Sequence, residues 1–157
     1  MKKLFFYGAV IILSGIFVSV FFARALVRNP SVGSASLEYT LYEANINCSV
    51  ASGTVAVVAG TQLDGLSLIS MTASVSSTGT TGGLQLVPRK QRGATSTDML
   101  STPLFIDSAE YSSVTAATSS VINQSNATLA QGDIVYIDIR ACHTTPSTGL
   151  FATLEFQ

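Results

Sequence analysis

Few side chains in this sequence have the type and spacing to do chemistry. Cys48 and Cys142 are the two cysteines of the chain, and His143 is its one histidine. Two thiols could close a disulfide, lie apart as small buried hydrophobes, or ligate a metal. The metal reading fails on ligand number: zinc takes four protein ligands, or three and a water, and no second Cys/His cluster exists. Adjacency of Cys142 and His143 is no nucleophile–base signal either, because in Cys–His enzymes the pair meets in space from distant positions. Serines and threonines are abundant, but no G-x-S-x-G elbow is present. Among the carboxylates, Asp107 and Glu110 flank a turn, while Asp133 and Asp138 lie at and within a strand. A glycosidase needs two carboxyls at a set separation, which no spacing here reports. The sequence therefore predicts no enzyme, no cofactor and no metal site.

The remaining cluster is Pro88-Arg89-Lys90-Gln91-Arg92, which opens a stretch to Asp98 that reads as an exposed loop. Arg89, Lys90 and Arg92 are candidate contacts for an anionic glycan or another surface polymer. The alternative is a solvated loop tip or a guard against edge-to-edge strand pairing. Asn47-Cys48-Ser49, Asn123-Gln124-Ser125 and Asn126-Ala127-Thr128 match the glycosylation sequon and mark surface loops.

The elements that must carry these residues are strands. Gly132-Asp133 supplies turn chemistry, and the β-branched, aromatic and alternating run that follows it predicts a central strand over Ile134–Ala141. By parity Val135, Ile137, Ile139 and Ala141 face the core. Asp138 and Arg140 share the other face as neighbours able to offset each other's charge. Leu37–Tyr42 alternates cleanly and reads as a first strand and a candidate sheet edge; Thr54–Ala59 reads as a sandwich-core strand. Over Leu66–Val75 the apolar parity switches, and a β-bulge near Leu68–Ile69 would keep both groups inward. Further strands are expected at Leu84–Pro88, ended or edged by Pro88, at Leu104–Ile106, at Tyr111–Thr118 and at Gly149–Phe156. About eight strands with no amphipathic helix after the first segment predict an all-β fold, a single antiparallel β-sandwich of jelly-roll type over residues 37–157.

Ahead of that domain, Lys2 and Lys3 precede the uninterrupted uncharged run Leu4–Phe22, followed by the small-x-small sequence Ala23-Arg24-Ala25. Residues 1–25 read as a signal peptide cut after Ala25 or as a retained N-terminal membrane anchor, since the run approaches the roughly 20 residues that span hydrocarbon. Residues 26–36, with their Pro, Ser and Gly, read as a linker. Either way the domain lies outside the cytoplasm, where two cysteines usually pair. A Cys48–Cys142 bridge would stabilise by roughly 4 kcal/mol in chain-entropy terms. Charged residues are only 11% of the chain and net charge is −1; removing Lys2, Lys3 and Arg24 makes the remainder more acidic. Nucleic acid is excluded as a partner.

The order Leu84-Gln85-Leu86, Met99-Leu100-Ser101, Leu104 with Ile106-Asp107, Glu110-Tyr111-Ser112-Ser113, Thr115-Ala116-Ala117, Val121-Ile122, Leu129, Gly132-Asp133 and Ile137-Asp138 resembles the β-sandwich domains of bacteriophage tail and head fibre proteins. The resemblance spans roughly residues 60 to 156. It implies a non-enzymatic, surface-displayed module that trimerises and binds a cell-surface carbohydrate or another virion protein. The export segment and the cysteine pair lie outside that pattern. Three function classes follow: a structural or adhesive module of a cell surface first, a virion fibre-like component second, a secreted enzyme third.

Overall fold

Alternation of apolar and polar residues can bury one face of a strand only against a second sheet, and the chain builds two. The structure, a computed structural model, describes residues 33–157; the hydrophobic segment Leu4–Phe22 and most of the expected linker lie outside them. Among the described residues no helix is long and apolar enough to cross a membrane. The strands are β1 (Ala35–Asn47), β2 (Ala51–Val58), β3 (Leu68–Ser77), β4 (Gly83–Arg92), β5 (Thr95–Asp98), β6 (Leu100–Thr102), β7 (Leu104–Asp107), β8 (Val121–Ile122), β9 (Ile134–Ala141) and β10 (Thr148–Phe156).

One sheet has three strands in the order β1-β10-β3, and the other has five, in the order β2-β9-β4-β5 with β7 also paired to β4. All pairings are antiparallel. The chain crosses between sheets from β1 to β2, β2 to β3, β3 to β4 and β9 to β10. This is a jelly-roll sandwich, as the sequence predicts. Among the described residues it has ten strands rather than about eight because one edge is divided. β7 pairs with Gly83–Leu86 and β5 with Arg89–Arg92 along the same side of β4, while β6 between them turns away to meet β8.

The inward faces interlock through large side chains that are essentially inaccessible, among them Tyr39, Leu41, Leu84, Leu86, Ile106, Ile137, Ile139, Leu150 and Phe156. Val135, Ile137 and Ile139 are buried, in agreement with the parity of the central strand. Tyr39 reaches across the core and donates its hydroxyl to the Val135 carbonyl at 3.4 Å; burial pushes its phenol well above the ordinary value. The bulge expected near Leu68–Ile69 is present. Leu68 pairs with Phe156 and Ser70 with Glu155, which leaves Ile69 as the extra residue. Leu68 and Met71 are therefore both in the core, whereas Ile69, expected inward with Met71, is the bulged residue itself and points out.

Three expectations give way to tertiary structure. Pro88 does not end its strand: it is buried within β4, opposite Ile137 of β9. Its carbonyl accepts from the Met99 N–H at 2.9 Å, where β7 hands over to β5, so the missing proline N–H faces a break in the ladder. Arg89–Asp98 is not an exposed loop but the end of β4, a tight turn through Gly93 and β5. Tyr111–Thr118 is not a strand. Ser112 accepts from the Val114 N–H at 3.2 Å and starts a 3-10 turn over Ser113–Thr115, an example of serine drawing the backbone away from a ladder.

Candidate functional site

The three predicted contact cations are separated by the pleat of β4. Arg89 faces out of the five-stranded sheet, whereas Lys90 and Arg92, on the opposite parity, meet the turn that leads into β9. The structure therefore places Arg89 on one side of the sheet and Lys90 with Arg92 on the other, so the three do not converge on one surface.

Lys90 is only 8% exposed and donates its ammonium to the Thr128 carbonyl at 2.7 Å. Burial, then the nearby Arg92 guanidinium, lowers its pKa. Arg92 grips Asp133 in a fork, Nε to Oδ1 at 2.8 Å and Nη2 to Oδ2 at 2.7 Å. Asp133 is buried and also accepts from the Ala130 N–H at 2.8 Å. The Arg92 hydrogen bond is the largest influence on this carboxyl and holds it below its ordinary range. Together these contacts clamp Thr128–Asp133, so Lys90 and Arg92 fasten the turn feeding the central strand.

On the outer face of the same sheet lies a second closed network. Arg89 approaches Asp98 with Nε–Oδ1 3.1 Å and Asp138 with Nη1–Oδ2 3.3 Å, and its guanidinium stands 5.7 Å from the Tyr136 ring centroid. Arg140 pairs with Asp98 at 2.6 Å, not with its strand neighbour Asp138 as expected from spacing. Asp138, buried, instead accepts from Ser52 Oγ at 2.7 Å and from the Gly53 N–H at 2.8 Å. The Tyr136 hydroxyl is hydrogen-bonded to Ser96 Oγ. Reaching Asp138 bends β2: its pairing with β9 slips twice, and Val55 adopts φ 53°, a costly conformation for a β-branched residue. Every lysine and arginine among the described residues is thus engaged.

At one end of the sandwich Cys48 and Cys142 form a disulfide with a Cα–Cα distance of 6.0 Å across a sequence separation of 94, as predicted. It ties the β1–β2 connection to the end of β9, and so the three-stranded sheet to the five-stranded one. A bridge of this kind is consistent with an extracytoplasmic location. Next to it His143 is 3% exposed and Ser147 1% exposed, and neither imidazole nitrogen nor Ser147 Oγ has a hydrogen-bond partner among the described residues. The ring packs on the backbone of Gly79, where a Cβ would lie 2.3 Å from the imidazole; only glycine fits there. Among the described residues no three His, Cys, Asp or Glu side chains gather around a metal position. Asp107 serves its turn, accepting from the Ala117 N–H at 2.8 Å.

The outer face of the three-stranded sheet differs in chemistry. Phe151, on the middle strand, is 38% exposed and stands between Thr40 of β1 and Ser74 of β3; Thr153 in the next row stands between Glu38 and Thr72. A shallow groove of about 170 Å³ runs along this face, lined by Thr72, Ser74, Ser112, Val114, Phe151 and Thr153 among others. Sequence reasoning passed over Phe151. The signal was available in the alternation of Gly149–Phe156, whose solvent-facing set holds one aromatic beside Thr153 and Glu155.

No protein-family model, no curated protein and no solved structure matches this chain.

Proposed function

We propose that the chain is a non-enzymatic surface module, exported behind Leu4–Phe22 and held at the cell surface or released from it, with a structural or adhesive role. The observation that carries this reading is the Cys48–Cys142 bridge between the two sheets. Such bonds persist in oxidising compartments, and the lysine-led apolar segment at the N-terminus supplies a route there. Two buried carboxylates that could otherwise suggest catalysis have structural partners: Asp133 and Asp138 each accept from an arginine and a backbone N–H. A rigid sandwich carrying exposed loops and sheet faces is suited to presenting contacts rather than turning over a substrate. Several copies, as a trimer or densely displayed, would raise the avidity of weak individual contacts for a surface glycan or another surface protein.

The test is fractionation with intact-mass measurement. Export gives either a species beginning at Leu26 or a full-length membrane-bound species, each with the disulfide closed; a reduced, cytoplasmic product overturns the proposal. A second reading, a virion fibre-like component, is supported by the resemblance over residues 60 to 156. An antibody against the sandwich that labels filtered particles rather than intact cells would favour it.

A further inference from the structure

The two outer faces divide the charge of the molecule unequally. Arg89, Lys90, Arg92 and Arg140 all belong to the five-stranded sheet and are engaged by its own carboxylates or by the turn that leads into β9. The outer face of β1-β10-β3 carries hydroxyls, the Phe151 ring, the exposed Ile69 and exposed carboxylates that include Glu38 and Glu155. Thr72 and Ser74 are exposed on β3, and Phe151 stands directly across from Ser74. The groove wall is built in place. Ser113 Oγ accepts from the Ala73 N–H at 3.0 Å, and the Val75 N–H donates to the Tyr111 carbonyl at 2.9 Å. The 3-10 turn therefore stays fixed against β3 and holds Val114, 76% exposed, beside the groove.

We propose that this groove is a binding subsite for a neutral glycan, with one sugar ring laid on Phe151 and its hydroxyls met by Thr72, Ser74 and Thr153. The proposal rests on the adhesive reading above and supplies its ligand class. An aromatic face is electron-rich and attracts the polarised C–H face of a pyranose. Serine and threonine hydroxyls donate and accept, matching hydroxyls that do the same. Charge selects among polymers: Glu38 and Glu155 repel anionic chains, and no cation on this face attracts them. The groove, about 170 Å³, is smaller than the roughly 300–1,000 Å³ of a drug-sized site, so it takes one ring of a chain and relies on many copies for retention.

The test uses cells displaying the full-length protein, incubated with fluorescent β-glucan, galactomannan, xylan and the anionic polymer alginate, with surface amount normalised by antibody. At least one neutral polymer is retained by wild type, Phe151→Ala reduces that retention about tenfold, Phe151→Trp keeps it, and a Thr72→Ala/Ser74→Ala variant lowers it partway. Retention of no neutral polymer, preference for alginate, or equal retention by Phe151→Ala overturns the proposal. Whole-cell adhesion measured in parallel separates the two levels. Adhesion that survives Phe151→Ala removes this subsite and leaves the adhesive reading, whereas loss of all binding by wild type removes both.

Discussion

The outer faces of the two sheets use opposite solutions to the same problem of ending a protein in water. On the five-stranded sheet, charged groups are half-buried and paired into a neutral network around Arg89, Asp98, Asp138 and Arg140. On the three-stranded sheet, short hydroxyl side chains and Phe151 stand in solvent with little internal engagement. Cationic charge among the described residues is therefore a structural material that fastens β2, β5 and the turn before β9, and the surface left open to a partner carries no cation. A concentrated run of basic residues is a poor guide to a ligand site when the pleat sends its members to opposite faces.

That contrast is open to attack, beginning where the effect is largest. The disulfide joins the sheets, so Cys48→Ser with Cys142→Ser should lower unfolding free energy by about 2–5 kcal/mol, read by denaturant titration under oxidising conditions. A loss below 1 kcal/mol would mean that the core alone holds the sheets together. Next in size is Arg89→Ala, which strips Asp138 and Asp98 of a cation and should cost about 1–3 kcal/mol. If it proves neutral, the outer network is decoration rather than a fastening.

Asp133→Asn, which breaks the Arg92 fork, should cost about 1–2 kcal/mol at neutral pH and change the acid limb. The carboxyl is held below its ordinary range in the folded state. Its stabilisation is therefore present above the unfolded value of about 4 and is lost as pH falls through the lower folded value. Stability measured between neutral pH and about pH 2 should fall less steeply in the variant; parallel curves would refute the role given to Asp133. Smallest of all, Thr72→Asp and Phe151→Ala on the three-stranded face should shift stability by no more than about 0.5 kcal/mol in thermal melts. A larger loss would show that this face is structurally committed like the other.

Some of this was legible residue by residue. The parity of Val135, Ile137 and Ile139 reported a buried face directly, because a strand's side-chain period is two whatever surrounds it. The switch in parity at Leu68–Ile69 announced its bulge for the same reason. Pro88 misled because the rule against proline in central strands concerns a missing N–H, and here that side of the backbone faces the break between β5 and β7. Asp138 and Arg140 misled because the nearer charge in sequence was outcompeted by Arg89 and Asp98 arriving on neighbouring strands. Tyr111–Thr118 reads as a strand of small residues, yet the hydroxyls of Ser112 and Thr115 bond to local backbone and yield a turn.

Local periodicity, turn chemistry and cysteine count were enough to determine an all-β sandwich, most of its inward residues and its one disulfide pair, since each depends on short-range geometry or on there being a single way to pair two thiols. Which charges meet, which face stays open, and that Lys90 and Arg92 clamp a turn while Phe151 stands in solvent were decided only by the tertiary structure. Those outcomes depend on cross-strand register and on segments such as Ser52–Gly53 and Asp138, distant along the chain and brought together by closure of the sandwich.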